Sequence, residues 1–209
     1  MKKLTYLLIL FVAICMTSCN SCKKTKEATK PANEVAALTV ENVISTDKEY
    51  MFTTYNSDYR WYETCIVLTD YLDSENCDGT IASIKNIFQV LTEQDSTSCD
   101  VNVVMATHTP DTTNIDVIHG FWVEDYPLND QEIKVTFKEA YDKVMATNSK
   151  KPHSKNIVLR KEVGPKDAAV QYIFGNSYAQ LYVNAVTGEV SDKNPVYPDT
   201  VKKPLGEWP

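Results

Sequence analysis

Thr136-Phe137-Lys138-Glu139-Ala140-Tyr141-Asp142-Lys143-Val144-Met145 is the stretch that decides the fold class of this 209-residue chain. It begins with a capping box, in which the side chains of Thr136 and Glu139 each bond the other's backbone N–H group. One apolar stripe then recurs at helical spacing: Phe137, Ala140, Tyr141, Val144 and Met145. The stretch therefore predicts an amphipathic helix that packs one face against another element.

Three strand candidates follow this helix, at residues 156–163, 168–174 and 180–186. Gly-Pro at 164–165 and Gly-Asn at 175–176 separate them, and these dipeptides are typical of turns. A helix followed by consecutive strands predicts an α+β fold with helices on one face of an antiparallel sheet.

The part of the chain before this helix carries similar signals. Mixed polarity with some alternation over residues 41–52 favours a first strand, and the aromatic and β-branched residues 59–69 predict a second. Thr80 is placed to cap a helix over residues 81–91. Apolar residues recur at helical spacing in that range: Ile81, Ile84, Ile87, Phe88 and Leu91.

A hairpin is predicted next, because residues 101–106 and 115–123 both alternate and flank a turn at Thr109–Thr113. In this hairpin His108 pairs near Asn114, whereas His119 lies well up the ladder. The two imidazoles are therefore too far apart to share a metal ion. The apolar surroundings of His119 favour a hydrogen-bonded histidine in the core.

Each part thus contains a helix followed by antiparallel strands, preceded by a tryptophan-bearing strand at Trp61 or Trp122. We interpret this order as a weak internal repeat, with a first half at residues 39–128 and a second half at 129–192. Residues 193–209 contain four prolines and predict an extended tail.

The start of the chain predicts export. A short basic start and an apolar run at residues 7–14 are typical of a signal peptide, here residues 1–18. Met16-Thr17-Ser18-Cys19 resembles the lipobox of bacterial lipoproteins, which predicts cleavage before Cys19 and a diacylglyceryl group, with acyl chains such as palmitate, on its sulfur. An ordinary secreted protein cut near Ser18 is the alternative.

Residues 19–38 are polar and rich in lysine, and they predict a flexible tether between the lipid and the folded part. The whole chain has a net charge of −7, which argues against a nucleic-acid partner. Asn20 gives no acidic retention signal, and the tether lacks an early acidic cluster. We therefore expect an outer-membrane lipoprotein that faces the periplasm, with exposure at the cell surface as the alternative.

Cysteine chemistry follows from that compartment, where disulfides persist. Cys77 and Cys99 bracket the predicted helix over 81–91 and would lie too far apart to pair with each other. The disulfide that we favour joins Cys65 to either Cys77 or Cys99. The spacing of the cysteines matches no zinc site.

Residues 133–190 resemble a PepSY-type domain, a helix with three strands found in secreted and membrane-attached bacterial proteins. The resemblance begins at the helix with Phe137, Glu139 and Ala140 and ends at Tyr182–Val190. The family usually has an aspartate where this chain has Asn184, which can still accept the local hydrogen bonds of the turn. Gly188 fits the Thr-Gly turn that follows, where a positive φ is expected.

The complete layout is similar to the PepSY-like lipoproteins of Bacteroidetes and, as a tandem, to β-lactamase inhibitory proteins. This resemblance implies an α+β fold, no catalytic residues, and protein binding or peptidase inhibition at the cell envelope.

The residues themselves also give no sign of an enzyme. No serine or cysteine has the surroundings of a nucleophile, and six glycines in the whole chain form no phosphate-binding loop. We expect no catalytic residue, no cofactor and no metal.

Aromatic residues crowd the region around the second predicted strand. A contact surface made by Tyr55, Tyr59, Trp61 and Tyr62 is one interpretation, and burial of half of them in a sheet is the other. The favoured function is binding of a protein or peptide, with peptidase inhibition as one form of it. Binding of a small envelope ligand, such as a glycan or cell-wall fragment, is the alternative.

Overall fold

The computed structural model of the chain describes residues 38–56, 58–95, 98–164 and 169–196. The predicted signal peptide, the lipidation site Cys19 and most of the tether lie outside these residues, as does the tail from residue 197 onward. The described part is an α+β fold with an antiparallel sheet and two α-helices, as predicted.

The elements follow one another in a simple order. They are α1 (Val40–Tyr55), β1 (Tyr59–Leu68), β2 (Ile81–Asp95), β3 (Ser98–His108), β4 (Thr113–His119), β5 (Asp125–Tyr126), a 3-10 helix (Asp130–Glu132), α2 (Phe137–Ala146), β6 (Asn156–Glu162), β7 (Gln171–Asn176), β8 (Ala179–Asn184) and β9 (Val190–Ser191).

The sheet has the strand order β4-β3-β2-β1-β6-β7-β8-β9, and every neighbouring pair is antiparallel. β1 and β6 meet in its middle, where Thr64 lies opposite Leu159 and Ile66 opposite Ile157. The two residues of β5 pair with the end of β6. Each helix therefore precedes a run of consecutive strands that lie side by side.

Both helices pack on the same face of the sheet. Phe137 of α2 contacts the ring of Tyr172, which lies opposite Leu159 and thus on the face of Thr64 and Ile66. Buried residues of α1 belong to the same apolar cluster. The core is therefore a single layer between the helices and one side of the sheet.

The region from α2 to β9 confirms the sequence predictions closely. The capping box of Thr136 and Glu139 is present, and the three predicted strands are β6, β7 and β8. Asn184 Oδ1 accepts hydrogen bonds from two backbone N–H groups of the following turn. Gly188 has a φ of 72°, a value that favours glycine.

Two predictions in the first half are wrong, because the helix and one strand exchange places. Residues 41–52, expected as a strand, belong to the helix α1, and residues 81–91, expected as a helix, belong to the strand β2. The positions of β2 that face the helices are Ile84, Asn86, Phe88 and Val90, all fully buried. Asn86 interrupts the alternation of apolar and polar residues that would indicate a strand. The apolar residues at helical spacing were therefore the stronger pattern in the sequence.

A polar residue also interrupts the apolar pattern in the sequence of α1. The buried positions of this helix are Val40, Val43, Asp47 and Met51, at the three- and four-residue spacing of a helix. Because Asp47 is charged, the sequence lacks a continuous apolar stripe here. Both errors therefore come from polar side chains at core positions.

The predicted hairpin is formed by β3 and β4, with His108 opposite Thr113 and His119 opposite Asn102. The two histidines are thus far apart on the ladder, as expected. The prediction that His119 lies in the core is wrong, because His119 is exposed; the buried histidine is His108. Trp122 lies after β4 and outside any strand, so the second tryptophan-bearing strand is not formed.

Candidate functional site

The aromatic contact surface predicted from the sequence is not formed. Trp61 is 3% exposed and Tyr62 6% exposed, while Tyr55 and Tyr59 are half-buried against the core. Residues 61–64 are all buried, and a bulge lies among them: Trp61 lies opposite Phe88 and Glu63 opposite Ile87, which leaves Tyr62 as the extra residue. The alternative that we gave for these residues, burial in a sheet, is nearer to the structure.

Large apolar side chains are exposed elsewhere, on β4 and the segment that follows it. Val117 is 54% and Ile118 53% exposed, and the values for Phe121 and Val123 reach 69% and 78%. We call these four residues the apolar strip. The alternation that predicted a half-buried strand is present here, but near the end of β4 Val117 and Ile118, which point to opposite faces, are both exposed.

The backbone of β4 is an open edge, since β4 is the last strand on its side of the described sheet. Gly120 N–H donates to Val101 O at one end of the hairpin, and Thr109 N–H donates to Thr112 O at the other. Hydrogen-bonded pairs alternate in an antiparallel ladder. The N–H and C=O groups of Thr113, Ile115, Val117 and His119 therefore point away from β3.

The charged residues around the apolar strip are acidic. Asp111, Asp116 and Glu124 are all exposed, and they lie in the hairpin turn, in β4 and beside Val123. The net charge of the whole chain, −7, has the same sign. A segment with basic side chains would therefore be attracted to this edge.

The segment Gly120–Tyr126, which carries two residues of the apolar strip, is held to the sheet by a few bonds. Trp122 N–H donates to Gln89 Oε1 at 3.1 Å, and Trp122 Nε1–H donates to Asp125 Oδ2 at 3.3 Å. Asp125 and Tyr126 then pair with the end of β6. Asp125 is thus bonded through its backbone to the sheet and through its side chain to the segment.

A cluster of charged residues surrounds Asp125 on the sheet face that the helices do not cover. Glu63 lies opposite Arg160 in the register, and Asp125 Oδ1 is 3.7 Å from Arg160 Nε. The guanidinium donates to Glu162 Oε1 at 2.5 Å. The Asp125 side chain has no exposed surface, and Glu63 is 6% exposed. We call Glu63, Asp125, Arg160 and Glu162 the carboxyl cluster.

Burial raises the pKa of Asp125 to about 7, the neighbouring Glu63 adds to this shift, and Arg160 opposes it. Asp125 Oδ1 has no hydrogen-bond partner among the described residues, whereas Oδ2 accepts a bond from Trp122 Nε1–H. Asp125 is therefore a buried carboxyl group with one oxygen left without a hydrogen bond.

A second polar network lies between α1 and the sheet. Asp47 accepts a hydrogen bond from Asn86 Nδ2 at 2.7 Å, and its other oxygen lies 2.7 Å from His108 Nε2. The Thr64 hydroxyl donates to Asn86 Oδ1 at 2.5 Å. Thr113 Oγ1 lies 3.0 Å from His108 Nδ1. These five residues, which we call the buried network, join one helix to four strands.

A groove of about 340 Å³ opens beside α1, near the 3-10 helix. Its apolar lining includes Trp61 and Tyr172, and Lys48 Nζ lies 4.0 Å from the centre of the Trp61 ring. Lys48 also pairs with Asp130. This volume is at the small end of the range for ligand sites. The groove can accept a small molecule with an apolar body.

The cysteines do not form the disulfide that we favoured. Cys65 and Cys77 are both free thiols. Cys65 lies opposite Lys85 and Cys99 opposite Glu93, eight residues further along β2. That separation is about 27 Å at the rise of a strand, far beyond the Cα separation of about 6 Å in a disulfide.

Burial raises the pKa of the Cys65 thiol to about 12, and the neighbouring carboxylate of Glu63 contributes to the shift. Cys65 Sγ lies 2.8 Å from Glu63 Oε1, to which it donates. The thiolate is the reactive form of cysteine. Cys65 is therefore a structural neighbour of the carboxyl cluster rather than a nucleophile.

Two further features bear on function. Neither helix in the described ranges has the length and hydropathy of a membrane-spanning helix. Among the described residues, no group of three or more histidine, cysteine, aspartate or glutamate side chains is placed to hold a metal ion.

Comparison of the chain with protein-family models, with curated protein sequences and with solved structures gives no significant match.

Proposed function

We propose that this chain is a non-enzymatic lipoprotein of the cell envelope that binds an extended segment of a protein or peptide along the open edge of β4. The observation that carries this proposal is the coincidence of unpaired backbone groups and two exposed apolar residues, Val117 and Ile118, on one edge strand of the sheet. The lipid on Cys19 would hold the domain at the outer membrane, facing the periplasm.

The edge of β4 differs from the protected edges of most soluble proteins. Such edges are usually shortened, covered, or lined with lysine or proline. β4 has seven residues and contains neither proline nor lysine. An extended partner that added one strand would bond the four outward-pointing residues and cover Val117 and Ile118.

The chemistry of the edge defines the partner. The side chains of a strand added beside β4 would alternate between the two faces of the sheet, where Val117 and Ile118 are exposed on opposite sides. Apolar side chains in the partner would cover them, and basic side chains would complement Asp116 and Glu124. A peptidase whose own sheet edge was paired in this way would be inhibited if that edge normally holds its substrate.

The tandem PepSY-like arrangement is part of the same proposal. Its support is the order of elements, in which α1 precedes β1–β4 and α2 precedes β6–β9, with β1 and β6 adjacent at the centre. In this arrangement residues 39–128 and 129–192 are the two halves. The capping box and the Asn184 turn, which carry the resemblance in the second half, support it further.

A proline at the edge tests strand addition directly. Because the N–H of Val117 points away from β3, Val117→Pro removes a donor that the folded protein does not use, at an edge position where proline is tolerated. Peptides selected from a random library on the intact protein are the probes. We expect Val117→Pro to weaken binding at least tenfold, and Val117→Ala to weaken it less.

Amide hydrogen exchange locates the bound peptide. Strand addition should slow the exchange of the Thr113, Ile115, Val117 and His119 amides and leave those of Asn114 and Asp116 unchanged. Protection confined to residues that line the groove, together with unchanged binding by Val117→Pro, would contradict the proposal.

The groove favours the second candidate, binding of a small envelope ligand. Trp61 presents its ring to this space beside Lys48, so a ligand that entered would change the tryptophan fluorescence. Muropeptide fragments and short glycans are the probes for a titration. Saturable binding that Ile44→Trp abolishes, with no binding of extended peptides, would favour this candidate over the first.

A further inference from the structure

We propose that the C-terminal residues 197–209 lie across the helix-free face of the sheet and cover an apolar patch there, with Trp208 as the main contact. The helix-free face is the side of the sheet opposite to α1 and α2. The apolar patch consists of Leu91, Val101, Ile118, Phe121 and Val123. The contact lies within one chain and forms without any peptide at the edge of β4.

The strand register places three residues of the apolar patch close together. Leu91 follows Val90, which faces the helices, so the side chain of Leu91 projects from the helix-free face. Leu91 lies opposite Val101, and Ile118 lies opposite Val103, two residues further along β3. Leu91 and Ile118 are exposed, and Val101 is half-buried. Apolar side chains on neighbouring rows of the sheet are therefore open to water.

The segment after β4 adds Phe121 and Val123 to the patch. Trp122 N–H donates to Gln89 Oε1, and the side chain of Gln89 projects from the helix-free face, because this residue lies two positions before Leu91. The segment therefore crosses this face. Phe121 and Val123, on either side of Trp122, are mostly exposed. A contiguous exposed apolar patch of this kind is typical of a surface that another segment covers.

The chain also leaves the described structure on the helix-free face. Asn194 Nδ2 donates to Glu162 Oε2 at 2.9 Å, and Glu162 belongs to the carboxyl cluster on this face. Val196 N–H donates to Asn194 Oδ1 at 2.8 Å. Val196 is buried, yet it lies outside the apolar core between the helices and the sheet. Residue 197 therefore begins beside the end of β6 on the helix-free face.

The apolar patch is within easy reach of this point. Glu162 lies opposite Asp125, and Phe121 lies four residues before Asp125. Four residues span at most about 14 Å, whereas the residues from 197 to 208 can span about 40 Å. Because the tail belongs to the same chain, its docking does not cost the translational and rotational freedom that a separate partner loses.

The chemistry of the tail matches that of the patch. Val201-Lys202-Lys203-Pro204-Leu205 places two lysines between two apolar residues, and Trp208 follows. The acidic residues of the tail lie outside this stretch. Asp116 and Glu124 are the exposed acidic residues of β4 and of the segment that carries Phe121 and Val123. The apolar side chains can therefore cover the patch while the lysines lie near these carboxylates.

Two other occupants fit the patch less well. A second copy of the chain would bring Asp116 and Glu124 of both copies together, and each chain has a net charge of −7. The residues before α1 approach the other face of the sheet. Leu38 packs against the apolar core, and Glu41 Oε1 accepts a hydrogen bond from Phe137 N–H at the start of α2.

NMR of the methyl groups in the full chain tests the contact, because an indole ring shifts the resonances of the methyl groups that it covers. We expect nuclear Overhauser contacts between the Trp208 ring and the methyl groups of Ile118 and Val123. Trp208→Ala should remove these contacts and shift the same methyl resonances. Tyr178→Ala is the matched control, since Tyr178 is an exposed aromatic residue in the turn between β7 and β8. It should leave both resonances unchanged.

Phe121→Ser tests the contact from the side of the patch. Because Phe121 is mostly exposed, the fold of the sheet does not depend on it. Loss of this aromatic contact should lower the ratio of docked to free tail roughly tenfold. The resonance of the Trp208 indole N–H should then move towards its position in a synthetic peptide of residues 197–209.

Two outcomes would overturn the proposal. Identical methyl resonances of Ile118 and Val123 in the wild type and in Trp208→Ala would show that the tail does not cover the patch, which is then open to an outside partner. Contacts that disappear on dilution, and that arise between differently labelled chains in a mixed sample, would assign the cover to a second copy of the chain.

Discussion

Asp47 holds the buried network together, and its removal should be among the most damaging single changes to the described fold. Asp47→Ala deletes the acceptor of Asn86 Nδ2 and the partner of His108 Nε2. Both partners are buried, with Asn86 fully enclosed and His108 8% exposed. Water therefore cannot easily replace the lost bonds.

The magnitude follows from two opposing effects. Each buried polar group left without a partner costs about 1–3 kcal/mol. Burial raises the pKa of Asp47, which means that burying its charge already has a cost in the wild type, and this cost disappears with the carboxylate. Alanine is also a slightly better helix former than aspartate. We expect a net loss of about 2–4 kcal/mol of unfolding free energy.

Urea unfolding at pH 7, followed by circular dichroism, measures this loss. The same change corresponds to a fall of about 5–15 °C in the thermal midpoint for a domain of this size. Glu49→Ala is the control, because Glu49 is an exposed acidic residue two positions further along α1. It should change the unfolding free energy by less than about 0.5 kcal/mol.

A loss below about 0.5 kcal/mol for Asp47→Ala would refute the reasoning. It would mean that α1 is held by its apolar residues alone and that Asn86 and His108 find other partners. A loss equal to that of Glu49→Ala would lead to the same conclusion, because burial would then make no difference.

Three further predictions concern local structure. Thr136→Ala removes the N-cap of α2 and should cost about 1 kcal/mol in urea unfolding, whereas Thr136→Ser should cost little. Cys65 should resist iodoacetamide at pH 8 in the folded chain and react only after denaturation, as read by mass spectrometry, because its raised pKa of about 12 leaves almost no thiolate. Rapid alkylation of the native protein would contradict this. Gly188→Ala should cost more than 1 kcal/mol, because the φ of 72° disfavours alanine and the new Cβ would lie 2.8 Å from Lys143 Cε; an unchanged midpoint would contradict both reasons.

The location of the candidate binding surface could be predicted only in part. The alternating residues of β4 were recognisable in the sequence, because a strand side chain follows a period of two. Their exposure was not, since it depends on β4 being the last strand of the sheet. Trp61 shows the opposite case: an aromatic residue suited to an interface is buried because its strand lies at the centre.

The carboxyl cluster had no signal in the sequence. Glu63, Asp125 and Arg160 are far apart along the chain, and each alone is typical of a solvated surface. They meet because β1 and β6 pair antiparallel with Glu63 opposite Arg160, and because β5 joins the end of β6. Such a register results from the packing of the complete sheet.

The sequence by itself determined the elements whose patterns are local and uninterrupted. The capping box defines the start of α2, the turn at Thr109–Thr112 joins β3 to β4, and Asn184 with Gly188 defines the turn after β8. The tertiary structure alone decided which of α1 and β2 became helix and which became strand. Asp47 and Asn86 are polar residues that form a hydrogen bond with each other in the core. The apolar patterns of α1 and β2 can be interpreted correctly only when this pairing is known.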